Sequence, residues 1–157
     1  MLIADVNLNR YEYTHSDDRL EYYFDSVGPR GVIRKVVKFQ QVDNAQAIYN
    51  LAFGDLNEVT GEIDDSVKSN NGDKEMVMAT VAATVIEFSN AYPSSFIAAI
   101  GLNKARTRLY QMAIWAHFAE ISLMFEVFGY IDDEWRQFRA ATNYEAFSVT
   151  RKRNIKI

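Results

Sequence analysis

Between Glu75 and Phe88 apolar side chains run round most of a helix cylinder, and this constrains the fold more than any other feature of the chain. Met76, Val77, Met78, Val81, Val85, Ile86 and Phe88 do not fall on one stripe, so the helix must be covered on more than one side. Ala79, Ala82 and Ala83, at i, i+3 and i+4, form a small-residue face that lets a helix lie close against a sheet. Asn71, Gly72 and Asp73 supply turn and N-cap chemistry where the helix should begin. Tyr92-Pro93-Ser94-Ser95 ends it, because proline cannot continue a helix and disfavours helical geometry at the residue before it. Glu75 and Glu87 bracket a stretch too short for a membrane span, which needs about 20 apolar residues.

The segment that follows predicts a strand and a second helix. Residues 96–100, Phe-Ile-Ala-Ala-Ile, form a short continuous apolar run bounded by turn residues, the pattern of a buried central strand closed by Gly101. Asn103 is a good N-cap for a helix with Ala105, Leu109, Met112, Ala113 and Ala116 as its apolar stripe, ending near Ser122. Upstream, residues 11–14 alternate and Ser16-Asp17-Asp18 turns the chain. Residues 20–27 and 32–39 read as an antiparallel hairpin about Gly28-Pro29-Arg30-Gly31. A fourth strand fits residues 47–54, and a weaker one 58–63. Downstream, residues 125–131 return as a strand. Asp132-Asp133-Glu134 reads as acidic helix-start chemistry for a short helix over 135–141, and residues 144–150 alternate as a last strand. The expected fold is α+β: a mostly antiparallel twisted sheet with two main helices packed on it, in the order β-β-β-β-α-β-α-β-β. A single domain over 1–157 is expected, with loose termini at 1–9 and 151–157.

Composition removes several classes of function. A hydrophobic fraction of 48%, with 13% aromatics, argues against a disordered chain. There is no cysteine, hence no disulfide framework and no thiol chemistry, which is compatible with a reducing cytoplasm. The first residues lack the basic region and apolar core of a signal peptide, and no stretch approaches transmembrane length, so a cytoplasmic location without a membrane partner is expected. The net charge of −4 provides no global field for nucleic acid. The basic tail, residues 151–157, reads as a solvated end.

The chemically suggestive cluster is the start of the second helix. Lys104, Arg106 and Arg108 follow Asn103 close to a helix N-terminus, where the dipole favours anions and each exposed cation costs roughly 0.3–1 kcal/mol. A bound phosphate or carboxylate would offset that cost. So would internal pairing with the acidic segment that holds Asp55, Glu58, Glu62, Asp64 and Asp65. Asn103, Lys104, Arg106 and Arg108 are therefore the anion-binding candidates. Other chemistry is scarce. His15 and His117 have no ligand-spaced neighbour, which argues against zinc. Glu62, Asp64 and Asp65 lack EF-hand spacing, and no nucleophile elbow, Walker motif or dinucleotide fingerprint occurs. Glu87 and Tyr110 are isolated acid–base candidates. No metal and no cofactor are expected.

Two resemblances bear on the chain. GEIDDSV, NNGD, ATVAATV, KARTRLYQM and YEAFSVTRK resemble an uncharacterised family of small bacterial proteins known only as a domain of unknown function. That resemblance covers nearly the whole chain and implies no activity. The order of strands and helices, with Asn103 ahead of a helix bearing Leu109-Tyr110, resembles the later part of the acyl-CoA-dependent N-acetyltransferase (GNAT) fold. This second resemblance implies CoA or acyl-CoA as a ligand and Tyr110 as a general acid. Where that family has an Arg/Gln-x-x-Gly-x-Gly/Ala loop for the CoA pyrophosphate, this chain has Ser69-Asn70-Asn71-Gly72-Asp73-Lys74, with one glycine and an added acid.

The functional expectation is thus a small non-enzymatic binding or regulatory protein, with a protein partner or self-association surface. The alternative is a GNAT-like acyltransferase or another anion-binding protein using residues 101–110. Nucleic-acid binding through the tail and the cationic turn is disfavoured by the charge balance.

Overall fold

The computed structural model describes residues 9–43, 45–64, 70–100 and 103–152. Strands β1 (Thr14–His15), β2 (Glu21–Gly28), β3 (Gly31–Asp43), β4 (Ile48–Leu56) and β5 (Ile63–Asp64) lead into helix α1 (Lys74–Ala91). Strand β6 (Phe96–Ala99), helices α2 (Lys104–Ala116) and α3 (Phe118–Met124), and strands β7 (Phe125–Ile131), β8 (Glu134–Gln137) and β9 (Ala146–Arg151) complete the order. All the strands join one sheet, β1-β2-β3-β4-β6-β9-β7-β8, with β5 paired beside β4. Every pairing is antiparallel except β4 with β6. Parallel neighbours need a crossover connection, and α1 supplies it.

Pleat alternation sorts the sheet into two faces. Tyr22 opposes Val37, Val37 opposes Phe53, and Phe39 opposes Leu51. Tyr49 then opposes Ile97, Ile97 opposes Val149, and Val149 opposes Val127. This face carries the core with Val77, Met78, Val81 and Phe88 of α1 and Tyr110 of α2. Phe88 is fully buried, its ring parallel to that of Phe39 at 4.1 Å and edge-on to Tyr49 at 5.0 Å. Such contacts combine area burial with favourable ring geometry.

The start of α1 is fixed through the β2–β3 hairpin. Asp73 occupies the N-cap position, but its side chain makes no capping bond. Its carboxylate instead accepts from the hydroxyls of Tyr11 and Ser26, both at 2.5 Å. Asn71, 3% exposed, accepts from the Arg30 N–H at 2.8 Å and donates to the Gly31 carbonyl at 3.0 Å and to Ser26 Oγ at 3.2 Å. Gly28 is required here, because a Cβ on it would lie 1.9 Å from the Asn71 carbonyl oxygen. NNGD is therefore a latch on the hairpin turn more than a helix cap.

Four local expectations differ from the structure. The helix expected over 135–141 is strand β8. Asp132 and Asp133 adopt positive φ values of 54° and 63° and form a two-residue turn pairing Ile131 with Glu134. Two left-handed residues suit the twist of a hairpin, and aspartate tolerates them better than most residues do. The strand expected over 58–63 is mostly a turn, in which Asn57 Oδ1 accepts from the N–H groups of Val59 and Thr60 and Gly61 has φ 75°. The second helix breaks at His117 and resumes as α3. Finally, Ala105, Met112 and Ala116 are exposed, and the core-facing stripe of α2 is Leu109, Tyr110, Ala113 and Ile114. Gly101 and the terminal segments 1–8 and 153–157 lie outside the described residues, whereas Arg151 belongs to β9 and donates to Ser89 Oγ at 3.2 Å.

Candidate functional site

Helix α2 separates the residues singled out at its N-terminus. Asn103 caps it, its side chain accepting from the Arg106 N–H at 2.8 Å. The Arg106 guanidinium points to the sheet, donating to the Phe53 carbonyl at 2.6 Å and lying over the Phe53 ring at 5.0 Å. Lys104 and Arg108, one turn apart, share the outer face with Gln111 and Trp115 at i+7 and i+11. Asn103, Lys104, Arg108, Gln111, Met112 and Trp115 line one wall of an open cleft of about 880 Å³. The segment from Ala140 to Glu145 forms the other wall. Arg106 is not among the lining residues.

The cleft is held open by specific contacts. The Gln111 side chain donates to the Thr142 carbonyl, and its oxygen accepts from the Tyr144 N–H at 3.4 Å. The Tyr144 ring rests on Gly129, where a Cβ would come within 2.3 Å of it, and its hydroxyl accepts from the Arg139 N–H at 2.8 Å. Phe138 and Phe147 back the same ring at 5.5 and 5.9 Å. The resulting surface combines two cations, an exposed indole (Trp115 is 53% exposed) and one carboxylate, Glu145, with the buried Tyr144 ring supporting the wall from beneath.

The acidic segment plays a different part from the pairing considered for it. Asp55 pairs with Lys35 across β3 and β4, both side chains being largely buried. Among the described residues no salt bridge joins Lys104, Arg106 or Arg108 to Asp55, Glu58 or Glu62. Asp65 lies outside the described residues.

Tyr110, 5% exposed, faces away from the cleft. It lies on the wall of a second, apolar hollow of about 120 Å³ lined by α1, α2, α3 and the sheet and partly open to solvent, where His117 and Glu120 are the lining residues with ionisable side chains besides Tyr110.

Glu87 is the centre of a cluster that sequence spacing did not reveal. It accepts from the Tyr13 hydroxyl at 2.6 Å and pairs with His15 Nε2 at 3.1 Å and Arg19 Nε at 3.3 Å. Burial, then the hydrogen bond to Glu87, holds the Tyr13 hydroxyl well above the ordinary tyrosine range. The Tyr22 hydroxyl is fully buried, has no hydrogen-bond partner among the described residues, and is raised by burial and then by the Glu87 charge. Both Glu87 oxygens are engaged, so the cluster reads as a clamp between α1 and the β1–β2 region. The signal was the alternation of Tyr11, Tyr13 and His15, which puts all three on one side of an extended segment. Among the described residues no group of acidic, histidine or cysteine side chains could hold a metal ion, and no helix is long and apolar enough to cross a membrane.

The architecture defines a two-layer α+β protein with helices on one face of a mostly antiparallel sheet, bearing a mixed cationic–aromatic cleft. The chain belongs to a family of unknown function, DUF6934, whose sequence profile matches residues 7–152. No curated protein and no solved structure matches it.

Proposed function

We propose that this protein is a non-enzymatic binding protein whose ligand surface is the α2 cleft, and that it takes an anionic group attached to a flat, largely apolar body. One observation carries the reading. Lys104 and Arg108, which have no ion-pair partner among the described residues, share a braced cleft with the exposed indole of Trp115. Two cations give an anion its attraction, and the Trp115 indole gives the attached body its contact area. Glu145 on the opposite wall disfavours a ligand of high negative charge and suits one with a hydrogen-bond donor at that end. The lack of cysteine fits a cytoplasmic setting.

The test is thermal unfolding of the full chain with adenosine monophosphate, inorganic phosphate, CoA and acetyl-CoA, beside Lys104→Ala/Arg108→Ala. A ligand at a hundred times its Kd adds about 2.7 kcal/mol of stability. A shift with the nucleotide that disappears in the variant supports the cleft. No shift with any of the four, or an equal shift in the variant, rejects it. The acyltransferase alternative has its own arm. It requires acetyl-CoA to bind and turn over, and it requires an acid other than Tyr110 at the cations, because Tyr110 faces the apolar cavity.

A further inference from the structure

The cavity beneath α2 is a second feature, independent of the cleft. Its walls come from α1, α2, α3 and the sheet, and at three points where these converge the side chain is alanine: Ala82, Ala99 and Ala113. Protein interiors are normally packed without voids larger than a water molecule. Here about 120 Å³ is left unfilled in a hollow that opens partly to solvent, a volume close to the roughly 150 Å³ of an engineered apolar cavity that binds benzene. A water needs two to four polar partners, and the alkyl and aromatic lining supplies few. Such a space favours an apolar occupant, which restores the contacts the lining atoms lack.

We propose that this cavity is a binding site for a small uncharged hydrophobe of about benzene's size. Volume fixes the size and the lining fixes the polarity. Glu120 at the α3 end disfavours a carboxylate, since an anion beside it would be repelled and would gain no lysine or arginine partner from the lining. His117, between α2 and α3, is a lining residue able to hydrogen-bond a substituent at that end.

The experiment uses the full chain with benzene, benzyl alcohol and benzoate, read by melting temperature and by methyl NMR of Val81, Ile97 and Ile114. Each arm is repeated in Lys104→Ala/Arg108→Ala, so that binding in the cleft is separated from binding in the cavity. Benzene and benzyl alcohol are expected to raise the melting temperature and shift those methyl signals equally in both proteins, and benzoate to leave the signals unmoved. Ala113→Leu, which fills the space, is expected to abolish the response. Should that variant not fold, Ala82→Val and the xenon-129 shift of the unsubstituted protein give the same reading. Methyl signals that ignore benzene, that respond equally to benzoate, or that respond undiminished in the filled variant would overturn the proposal.

Discussion

Replacing Asn71 tests the claim that the segment before α1 latches the β2–β3 turn. In the folded protein its amide donates to Gly31 and Ser26 and accepts from Arg30, in a site only 3% exposed. Asn71→Ala removes all three interactions. A hydrogen bond that water can replace is worth about 0.5–1.5 kcal/mol net, and a buried group left unsatisfied costs about 1–3. Arg30 and Gly31 are exposed enough to regain water, whereas Ser26 is fully buried. The expected loss is therefore about 2–4 kcal/mol, or roughly 4–16 °C in Tm at about 2–4 °C per kcal/mol. Asn71→Asp should be worse at neutral pH. It keeps the acceptor for Arg30 but turns a carboxylate oxygen toward the Gly31 carbonyl and toward Ser26 Oγ, whose proton is already given to Asp73. Burial raises the pKa of such a carboxyl in the folded state, so the deficit is present at neutral pH and shrinks as pH falls through that raised value. Urea titrations followed by circular dichroism, with an unchanged m-value, measure both variants. A loss below about 0.5 kcal/mol for Asn71→Ala, the level of an ordinary surface substitution, would refute the latch.

Gly129→Ala forces a Cβ into the Tyr144 ring; it should cost about 1–3 kcal/mol and, by tilting one wall, weaken whatever the cleft binds, both measurable by thermal unfolding with and without ligand. Lys35→Met leaves Asp55 without its buried cation and should cost about 3–5 kcal/mol, whereas Lys35→Met/Asp55→Leu should recover much of that in denaturant titration. Tyr11, Tyr13, Tyr22, Tyr23 and Tyr49 are held above the ordinary range, Tyr23 at about 12 through its hydrogen bond to Glu21. Since the fold favours their protonated forms, this stabilisation is complete below about pH 10 and is lost as pH rises through the folded values. Ultraviolet titration should show these tyrosinates forming late in the native protein and near pH 10 in denaturant.

The parts of the fold legible in the sequence are those written in local residues. The Gly-Pro-Arg-Gly turn, the alternation on either side of it, and a helix apolar all round each specify their own element. Asp132-Asp133 is ambiguous in sequence because acidic pairs serve both at helix starts and in left-handed hairpin turns, and only the pairing of β7 with β8 decides between them. The stripe of α2 is ambiguous in sequence because Tyr110 and Ile114, one turn apart, make an apolar row beside the expected one, and only packing on the sheet selects it. Of the site, the cations and their cap were visible as residues, but not their separation: Arg106 turns to the Phe53 carbonyl while Lys104 and Arg108 turn outward. The opposite wall of the cleft reaches α2 through Gln111, 31 positions before Thr142, and no spacing rule connects them. The Glu87 clamp joins Tyr13 to a residue 74 positions away and depends wholly on where α1 lies over the sheet.

The chain has two tryptophans, Trp115 on the cleft and Trp135 on strand β8, and their indole N–H signals in a proton–nitrogen correlation spectrum give the most direct test of the cleft. Titration with adenosine monophosphate should move the Trp115 signal in a saturable way, leave Trp135 in place, and lose its effect in Lys104→Ala/Arg108→Ala. Movement of Trp135 alone, or a Trp115 response that survives loss of both cations, would contradict the assignment of this cleft as the ligand surface.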